Sequence, residues 1–297
     1  NEPDKFWAHH YNGTRIESFA SESYWFNGSQ NVTIQVSDED ITLDAWWKKG
    51  EDGMPVVILI HGIRSCKRNH EVLIPASMLV DSGYSVLIPT LRDHGDSTRD
   101  DGRVDGGITE WKDVVASWNW VNSTHDIPKS EIGVYGGSAG AAIAAWAFHR
   151  ENGIQAAFID SSWYDFERLM KEELEFSGLP TFLGGAGVSY GRLFTGVDLT
   201  ENPPSEAVAN VGDRNIFILG NIPDNRIRIH HATDLWNSAN ASVSSEGFVD
   251  GWFSNVVLEE AVNDGPYDHL VTMVVEPDEY KNRLVTFFDT AFMIERS

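Results

Sequence analysis

One segment most constrains the fold of this chain. It is a short apolar run that leads to a serine between glycines and continues into a helix-forming segment. Residues 131–140 read Glu-Ile-Gly-Val-Tyr-Gly-Gly-Ser-Ala-Gly, and the alanine-rich residues that follow favour a helix. The pattern predicts a buried strand, a sharp turn at Ser138 and a helix. Such a turn needs small neighbours, here Gly136 and Gly140, and pushes the turn residue toward positive φ. We interpret Ser138 as a nucleophile, because its hydroxyl would stand clear of the sheet at a helix N-terminus that favours negative charge.

Buried strands alternate with helical patterns from residue 55 onward. The apolar runs lie at residues 56–60, 84–88, 132–135, 156–159, 216–219 and 248–257, and helical patterns cover 71–82, 109–121, 138–150 and 277–294. This alternation predicts an α/β fold, with a mostly parallel, doubly wound sheet covered by helices on both faces. Residues 1–50 are expected to form a short helix and then an antiparallel hairpin at 32–36 and 41–46.

The whole chain, residues 1–297, is interpreted as one domain with a lid insertion at about 163–213. About fifty residues separate the strand that ends near Asp160 from the one that begins at Asn215, and aromatic residues are frequent among them. A loop of that length without its own structure would be unusual, so we expect a small helical lid over the carboxyl edge of the sheet. Most of its aromatic side chains are expected to pack the lid onto the body.

The charge of the chain excludes several kinds of partner. A net charge of −23, from 45 acidic and 22 basic residues, argues against nucleic acid and anionic membranes. No apolar stretch approaches the roughly 20 residues of a membrane span. The single cysteine, Cys66, excludes an internal disulfide and a cysteine zinc cluster. His61 has no partner cluster at ligand spacing, so no metal is predicted.

A serine nucleophile needs a base, and the base is sought in a loop after a late strand. In doubly wound hydrolases the chain order is serine, acid, histidine. Among ten histidines, only His269 lies between the last predicted strand and the last helix. His230 and His231 follow too closely behind the loop of the acid, and we expect them to face solvent or contact the lid.

The acid that orients the base is predicted at Asp224. This residue is the only carboxylate in the segment that follows the strand at 216–219. Asp160, at the end of the preceding strand, is the rival candidate. Asp268 is a poor orienter, because it neighbours His269 on a short loop.

Two backbone amides are expected to bind the developing oxyanion. One belongs to Ala139, directly after the nucleophile, and the other to Ile63, in the His61-Gly62-Ile63-Arg64 loop after the first buried strand. Arg64 could supply charge to a substrate carboxylate instead, but a surface ion pair with one of the many acids is the simpler interpretation.

These motifs together resemble the α/β-hydrolase superfamily, in its serine carboxylesterase and prolyl-oligopeptidase-like branch. The matching segments are Val57-Ile-Leu-Ile-His-Gly, Gly83 to Ser97, Gly136-Gly-Ser-Ala-Gly, Leu219 to Ile227, and the Asp268-His-Leu loop. They extend over about residues 55–295 in family order. The resemblance implies a triad of Ser138, Asp224 and His269, with the Ile63 and Ala139 amides as the oxyanion hole. The stretch Thr90-Leu-Arg-Asp-His-Gly differs from the usual family motif at two positions.

The expected activity is hydrolysis of a small carboxylic ester through an acyl-enzyme, without a cofactor. An acidic surface and an aromatic lid favour a neutral or apolar acyl group. A peptidase or amidase of the same fold is the alternative, followed by a thioesterase or a non-catalytic binding protein. The chain begins without an initiator Met or a signal peptide, so we expect a mature or trimmed product, cytoplasmic or exported. The pattern leaves the oligomeric state open.

Overall fold

A computed structural model describes residue 24 and residues 26–103, 105–185, 188, 192, 197–201, 203–257 and 269–296. Eight strands form one sheet: β1 Gln30–Gln35, β2 Thr42–Lys48, β3 Val56–Ile60, β4 Ser85–Pro89, β5 Ile132–Gly137, β6 Ala156–Asp160, β7 Asn215–Asn221 and β8 Phe248–Ser254. Their spatial order is β1-β2-β4-β3-β5-β6-β7-β8. β1 and β2 are antiparallel to each other, β2 is antiparallel to β4, and the remaining pairs are parallel.

Eight α-helices connect and cover the strands in the described part of the chain. They are α1 His70–Asp81, α2 Trp111–His125, α3 Ala139–Arg150, α4 Phe166–Phe176, α5 Pro204–Val208, α6 Ile229–Asn240, α7 Thr272–Val275 and α8 Pro277–Ala291. The predicted strands and the four predicted helices are confirmed, with ends displaced by a few residues. The predicted N-terminal helix lies outside the described residues.

The apolar runs are continuous because both faces of the sheet are buried. Along β3, Val56, Ile58 and Ile60 pack into one cluster with α2, α3 and α6. The alternate residues Val57 and Leu59 pack on the other face with α1 and α8. Successive strand side chains point to opposite faces, so a strand covered on both sides cannot alternate with polar residues. The predicted doubly wound, mostly parallel α/β sheet is confirmed.

The N-terminal hairpin is less deeply buried than the parallel strands. The predicted pairing is confirmed, since β1 and β2 join antiparallel with Val32 opposite Ala45. Five of the six residues of β1 are exposed or half-buried. One wet face explains the polar alternation that distinguishes this hairpin from the rest of the sheet.

The segment 163–213 contains α4 and α5 among its described residues. Trp163 is buried, whereas Phe176 and Phe182 are exposed, so these two aromatic side chains do not hold the segment down. Other aromatics of this segment, such as Tyr190 and Phe194, lie outside the described residues. The lid therefore stays a prediction. None of the described helices is long and apolar enough to cross a bilayer.

Candidate active site

The turn between β5 and α3 places Ser138 at the carboxyl edge of the sheet. Ser138 has φ 55° and ψ −123°, a backbone conformation that non-glycine residues rarely adopt. Its N–H donates to the Asp160 carbonyl at 2.9 Å, which ties the turn to the end of β6. A Cβ at Gly136 would lie 2.2 Å from the Gly140 carbonyl oxygen, and one at Gly140 would lie 2.2 Å from that of Ile60. Glycine is therefore required at both positions so that helix and strands can approach closely.

The structure brings Ser138, His269 and Asp224 into one hydrogen-bonded chain. His269 Nε2 lies 2.9 Å from Ser138 Oγ, and His269 Nδ1 lies 2.7 Å from Asp224 Oδ2. The carboxylate fixes the proton on Nδ1, since an ionised carboxylate only accepts hydrogen bonds. Nε2 is then free to accept the serine proton. These are the three side chains that the sequence predicted for nucleophile, base and acid.

Asp224 is held rigidly by the backbone that follows β7. Its Oδ1 accepts the N–H groups of Arg226 and Ile227, both at 2.9 Å. Its side chain is fully buried. Asp224 therefore presents the second oxygen, Oδ2, to His269 in one orientation.

The His269 loop is anchored next to this carboxylate. Ser254, at the end of β8, lies within 2.9 Å of the hydroxyl of Thr272, which begins α7. Ser254 also donates to Asn221 Oδ1 at the end of β7. Three successive elements are thus tied together within a few residues of the imidazole.

The charge of Asp224 decides the protonation behaviour of His269. Burial works against the charged imidazole, but the charge of Asp224 and its hydrogen bond outweigh burial, so the pKa of His269 is raised above 6.5. An imidazole with this support can take a proton from an alcohol more readily than an isolated one.

Asp160, the rival acid, has other partners. Its Oδ2 accepts the Tyr280 hydroxyl at 2.7 Å, and its Oδ1 accepts the Ser161 hydroxyl at 2.9 Å. Burial raises the pKa of Asp160 to about 6. Asp160 is therefore a buried carboxyl beneath the site and does not bind His269. Asp268, the other rival, lies outside the described residues.

Ile63 and Ala139, whose amides the sequence predicted as oxyanion donors, line the same cavity as Ser138. Ala139 is the first residue of α3, so its N–H has no acceptor within the helix. Ile63 lies in the loop after β3, which approaches the serine closely: a Cβ at Gly62 would lie 3.4 Å from Ser138 Cβ.

Comparisons with known proteins agree with this architecture. The model of the prolyl oligopeptidase family matches residues 74–182, which include the turn at Ser138. The esterase Pf2001 of Pyrococcus furiosus superimposes with a TM-score of 0.70 at 21% identity, over 95% of this chain and 99% of that one. The chain has the α/β-hydrolase fold. The resemblance to this superfamily is confirmed.

Two peptide- and amide-related structures share the fold over part of their length. The acylaminoacyl peptidase of Pyrococcus horikoshii has a TM-score of 0.60 at 13% identity, over 89% of this chain and 41% of that one. A puromycin hydrolase has a TM-score of 0.68 at 14% identity, over 92% of this chain and 40% of that one. No curated protein matches the chain by sequence. The matches support a serine hydrolase of the α/β-hydrolase fold.

A cavity of about 520 Å³ opens above Ser138. Trp163 and Ile227 pack against Ala139 with Leu169 of α4 and form an apolar wall beside the serine. The same cavity is lined by four charged side chains, those of Arg64, Glu71, Glu173 and Arg226. The cavity thus has an apolar surface next to Ser138 and charged side chains elsewhere in its lining.

Arg64 does not form the surface ion pair that the sequence suggested. It is exposed at the cavity, and it has no ion pair with an acid in the described ranges. Arg226 lies 3.6 Å from Glu173.

A second cluster joins α4 to α6 and consists of Glu172, His230 and His231. His230 Nε2 lies 2.7 Å and His231 Nε2 3.1 Å from the Glu172 carboxylate. His231 Nδ1 accepts the Tyr164 N–H at 2.9 Å, so the neutral ring carries its proton on Nε2 and donates it to Glu172. A metal ion would need a free lone pair on His231 Nε2, which the proton occupies. We therefore interpret the cluster as an anchor for α4.

Both histidines were expected to face solvent or contact the lid, which itself stays a prediction. Both contact α4, and His231 is completely buried. Burial lowers the pKa of His231 to about 4.

The sequence did not predict the contacts of two residues near Ser138, Glu71 and His94. Glu71 lies in the first turn of α1, and His94 in the loop after β4, and both accept backbone N–H groups of the loop after β3. Glu71 is an acid inside an otherwise buried helix face, which is a signal that the sequence does contain. His94 belongs to the Thr90–Gly95 motif quoted above, but the motif does not say what the ring contacts.

Proposed function

We propose that this protein is a carboxylesterase in which Ser138 is the nucleophile, His269 the general base and Asp224 the orienting acid. The observation that carries the proposal is the unbroken chain of hydrogen bonds from Ser138 Oγ through the imidazole to Asp224 Oδ2, at 2.9 and 2.7 Å. Both distances lie within the reach that proton transfer requires.

The reaction proceeds in two displacements. Ser138 Oγ gives its proton to His269 Nε2 and bonds to the ester carbonyl carbon, whose oxygen becomes an oxyanion held by the Ile63 and Ala139 amides. The carbon–oxygen bond to the alcohol then breaks, and His269 returns the proton to the departing alkoxide. A water molecule then gives a proton to His269 and adds to the acyl carbon. The bond from that carbon to Ser138 Oγ breaks, His269 returns the proton to the serine oxygen, and a carboxylic acid leaves.

The apolar wall supports a neutral or apolar acyl group as the substrate. Trp163, Leu169 and Ile227 lie beside Ser138, where an aliphatic chain would exchange water for carbon contacts. The net charge of −23 also disfavours anionic substrates at long range. The esterase Pf2001 is similar along nearly all of its length, which is a further reason to prefer esters.

A peptidase or amidase remains the second candidate function. The prolyl oligopeptidase family match and the likeness to an acylaminoacyl peptidase and a puromycin hydrolase favour it. The same three side chains would serve, with His269 protonating an amine in place of an alkoxide.

A panel of p-nitrophenyl acetate, butyrate and octanoate and of N-acyl-amino-acid p-nitroanilides separates these activities. We expect ester hydrolysis with a higher kcat/KM for butyrate than for acetate, because of the apolar wall. Ser138→Ala should lower kcat by at least about 10⁴-fold. The matched control is Ser123→Ala, an exposed serine of α2. Anilide cleavage without ester cleavage would favour the peptidase, and activity that survives Ser138→Ala would refute the nucleophile.

A further inference from the structure

Three consecutive backbone N–H groups in the loop after β3 differ in whether they have a hydrogen-bond acceptor. The Gly62 N–H donates to Glu71 Oε1 at 2.9 Å, and the Arg64 N–H donates to His94 Nε2 at 3.3 Å. The Ile63 N–H between them has no acceptor among the residues that the structure describes. Two side chains thus satisfy the outer amides and leave the middle one open.

Glu71 is a dedicated acceptor. Its side chain is buried in the first turn of α1, only 6% exposed. Burial raises the pKa of its carboxyl, while the hydrogen bond from the Gly62 N–H opposes the rise. A Cβ at Gly62 would lie 3.0 Å from Glu71 Oε2 and 3.4 Å from Ser138 Cβ. The carboxyl group therefore holds the loop directly against the nucleophile.

His94 is set as an acceptor by its other nitrogen. His94 Nδ1 lies 2.8 Å from the Arg92 carbonyl and must carry the ring proton, because a carbonyl only accepts. Nε2 of the neutral ring then has the lone pair that receives the Arg64 N–H. The ring is buried, 8% exposed, so water competes little for this bond.

His61 makes a similar pair of contacts, but from the loop after β3 to the loop after β4. Its Nδ1 lies 2.8 Å from the Gly62 carbonyl, and its Nε2 accepts the Leu91 N–H at 3.0 Å. The rings of His61 and His94 meet edge to face with centroids 5.0 Å apart. Each histidine therefore links the loop after β3 to the loop after β4.

The backbone that these bonds hold is strained. Arg64 has φ 58°, a left-handed conformation that is unfavourable for a residue with a Cβ. The strained residue directly follows the Ile63 amide. Such a conformation persists only where its surroundings fix it, and Glu71 and His94 supply that support on either side.

We propose that Glu71 and His94 are positioning residues that hold the Ile63 N–H open for the oxyanion of the substrate. The inference rests on the proposed hydrolytic function. Neither side chain touches the reacting atoms, and both act by accepting the neighbouring N–H groups. A loop freed from either acceptor could rotate the Ile63 peptide, and a misplacement of about 1 Å can cost on the order of 100-fold in rate.

Paired variants test the proposal with p-nitrophenyl butyrate as substrate. Glu71→Ala and His94→Ala should each lower kcat about 10- to 100-fold with little change in KM. Glu71→Gln and His94→Gln keep an acceptor oxygen and should recover most of the loss. An aryl trifluoromethyl ketone, which forms a charged hemiketal on the serine, should bind the alanine variants more weakly by a similar factor. Glu51→Ala, an exposed acid, is the matched control.

The outcomes separate this inference from the proposed function. Alanine variants that keep the wild-type kcat and inhibitor affinity would overturn it, and so would glutamine variants no better than alanine at equal melting temperature. If Glu71→Ala does not fold, the His94 pair decides alone. Activity that survives Ser138→Ala would instead refute the proposed function.

Discussion

Asp224 uses its two carboxylate oxygens for different tasks. Oδ1 accepts two backbone N–H groups, and Oδ2 faces His269 Nδ1 at 2.7 Å. An exposed ion pair would contribute little, because water screens it and both side chains move. Here the carboxylate is buried and fixed, so water screens its charge from the imidazole much less.

Asp224→Asn should change both the rate and the pH dependence. We expect kcat to fall about 10³- to 10⁴-fold, since an asparagine can stabilise the wrong imidazole tautomer. The neutral imidazole is the active form, so activity is lost as the pH falls through the pKa of His269. That pKa is raised above 6.5 chiefly by Asp224 acting against burial. The acid limb of kcat/KM should therefore lie above pH 6.5 in the wild type and move to lower pH in the variant.

The control for this profile is Asp213→Asn, which removes an exposed carboxylate far along the chain from the imidazole. It should keep the wild-type limb. An Asp224→Asn profile with an unmoved limb would contradict the role assigned to the charge.

At the scale of elements, α4 is attached to the body through polar contacts as well as through Leu169. Glu172 accepts from His230 and His231 of α6, and Arg168 pairs with Asp234 at 2.6 Å. No residue of α4 is buried. The position of Leu169 in the apolar wall therefore depends on these contacts.

Glu172→Ala should loosen α4 and weaken binding of long acyl chains. We expect KM for p-nitrophenyl octanoate to rise about 3- to 10-fold, as one or two methylene contacts are lost. The value for acetate, which does not reach the wall, should change less. Amide hydrogen exchange within residues 166–176 should become faster in the same variant.

Glu167→Ala is the matched control on the same helix. Within the described part of the chain, Glu167 pairs only with Lys171 at the surface, at 2.8 Å, and such pairs contribute about 1 kcal/mol at most. Equal changes in both variants would show that the histidine contacts do not anchor α4.

At the scale of the molecule, the parallel sheet could be predicted because both its faces are buried. Continuous apolar runs such as 56–60 need no knowledge of their neighbours, and β3 begins and ends where its run does. The sharp turn at Ser138 could also be predicted from the sequence, since the close contacts of the turn require glycine at positions 136 and 140. The positions of Asp224 and His269 followed from where late strands end.

The supporting contacts could not be predicted, because they join residues that only the tertiary structure brings together. Glu71 meets Gly62 and His94 meets Arg64 across different loops, and no periodicity marks either pair. Asp160 was a credible acid by position alone. Its contacts with Ser161 and with Tyr280 of α8 show where its carboxylate points.

Covalent labelling by a fluorophosphonate tests most directly whether Ser138 is the nucleophile, because the reagent phosphonylates the hydroxyl that the imidazole activates. We expect one adduct per chain by intact mass, mapped by peptide fragmentation to Ser138, with no adduct in Ser138→Ala. We also expect loss of esterase activity in proportion to labelling. An adduct on another residue, or labelling and hydrolysis that persist in Ser138→Ala, would contradict this role of Ser138.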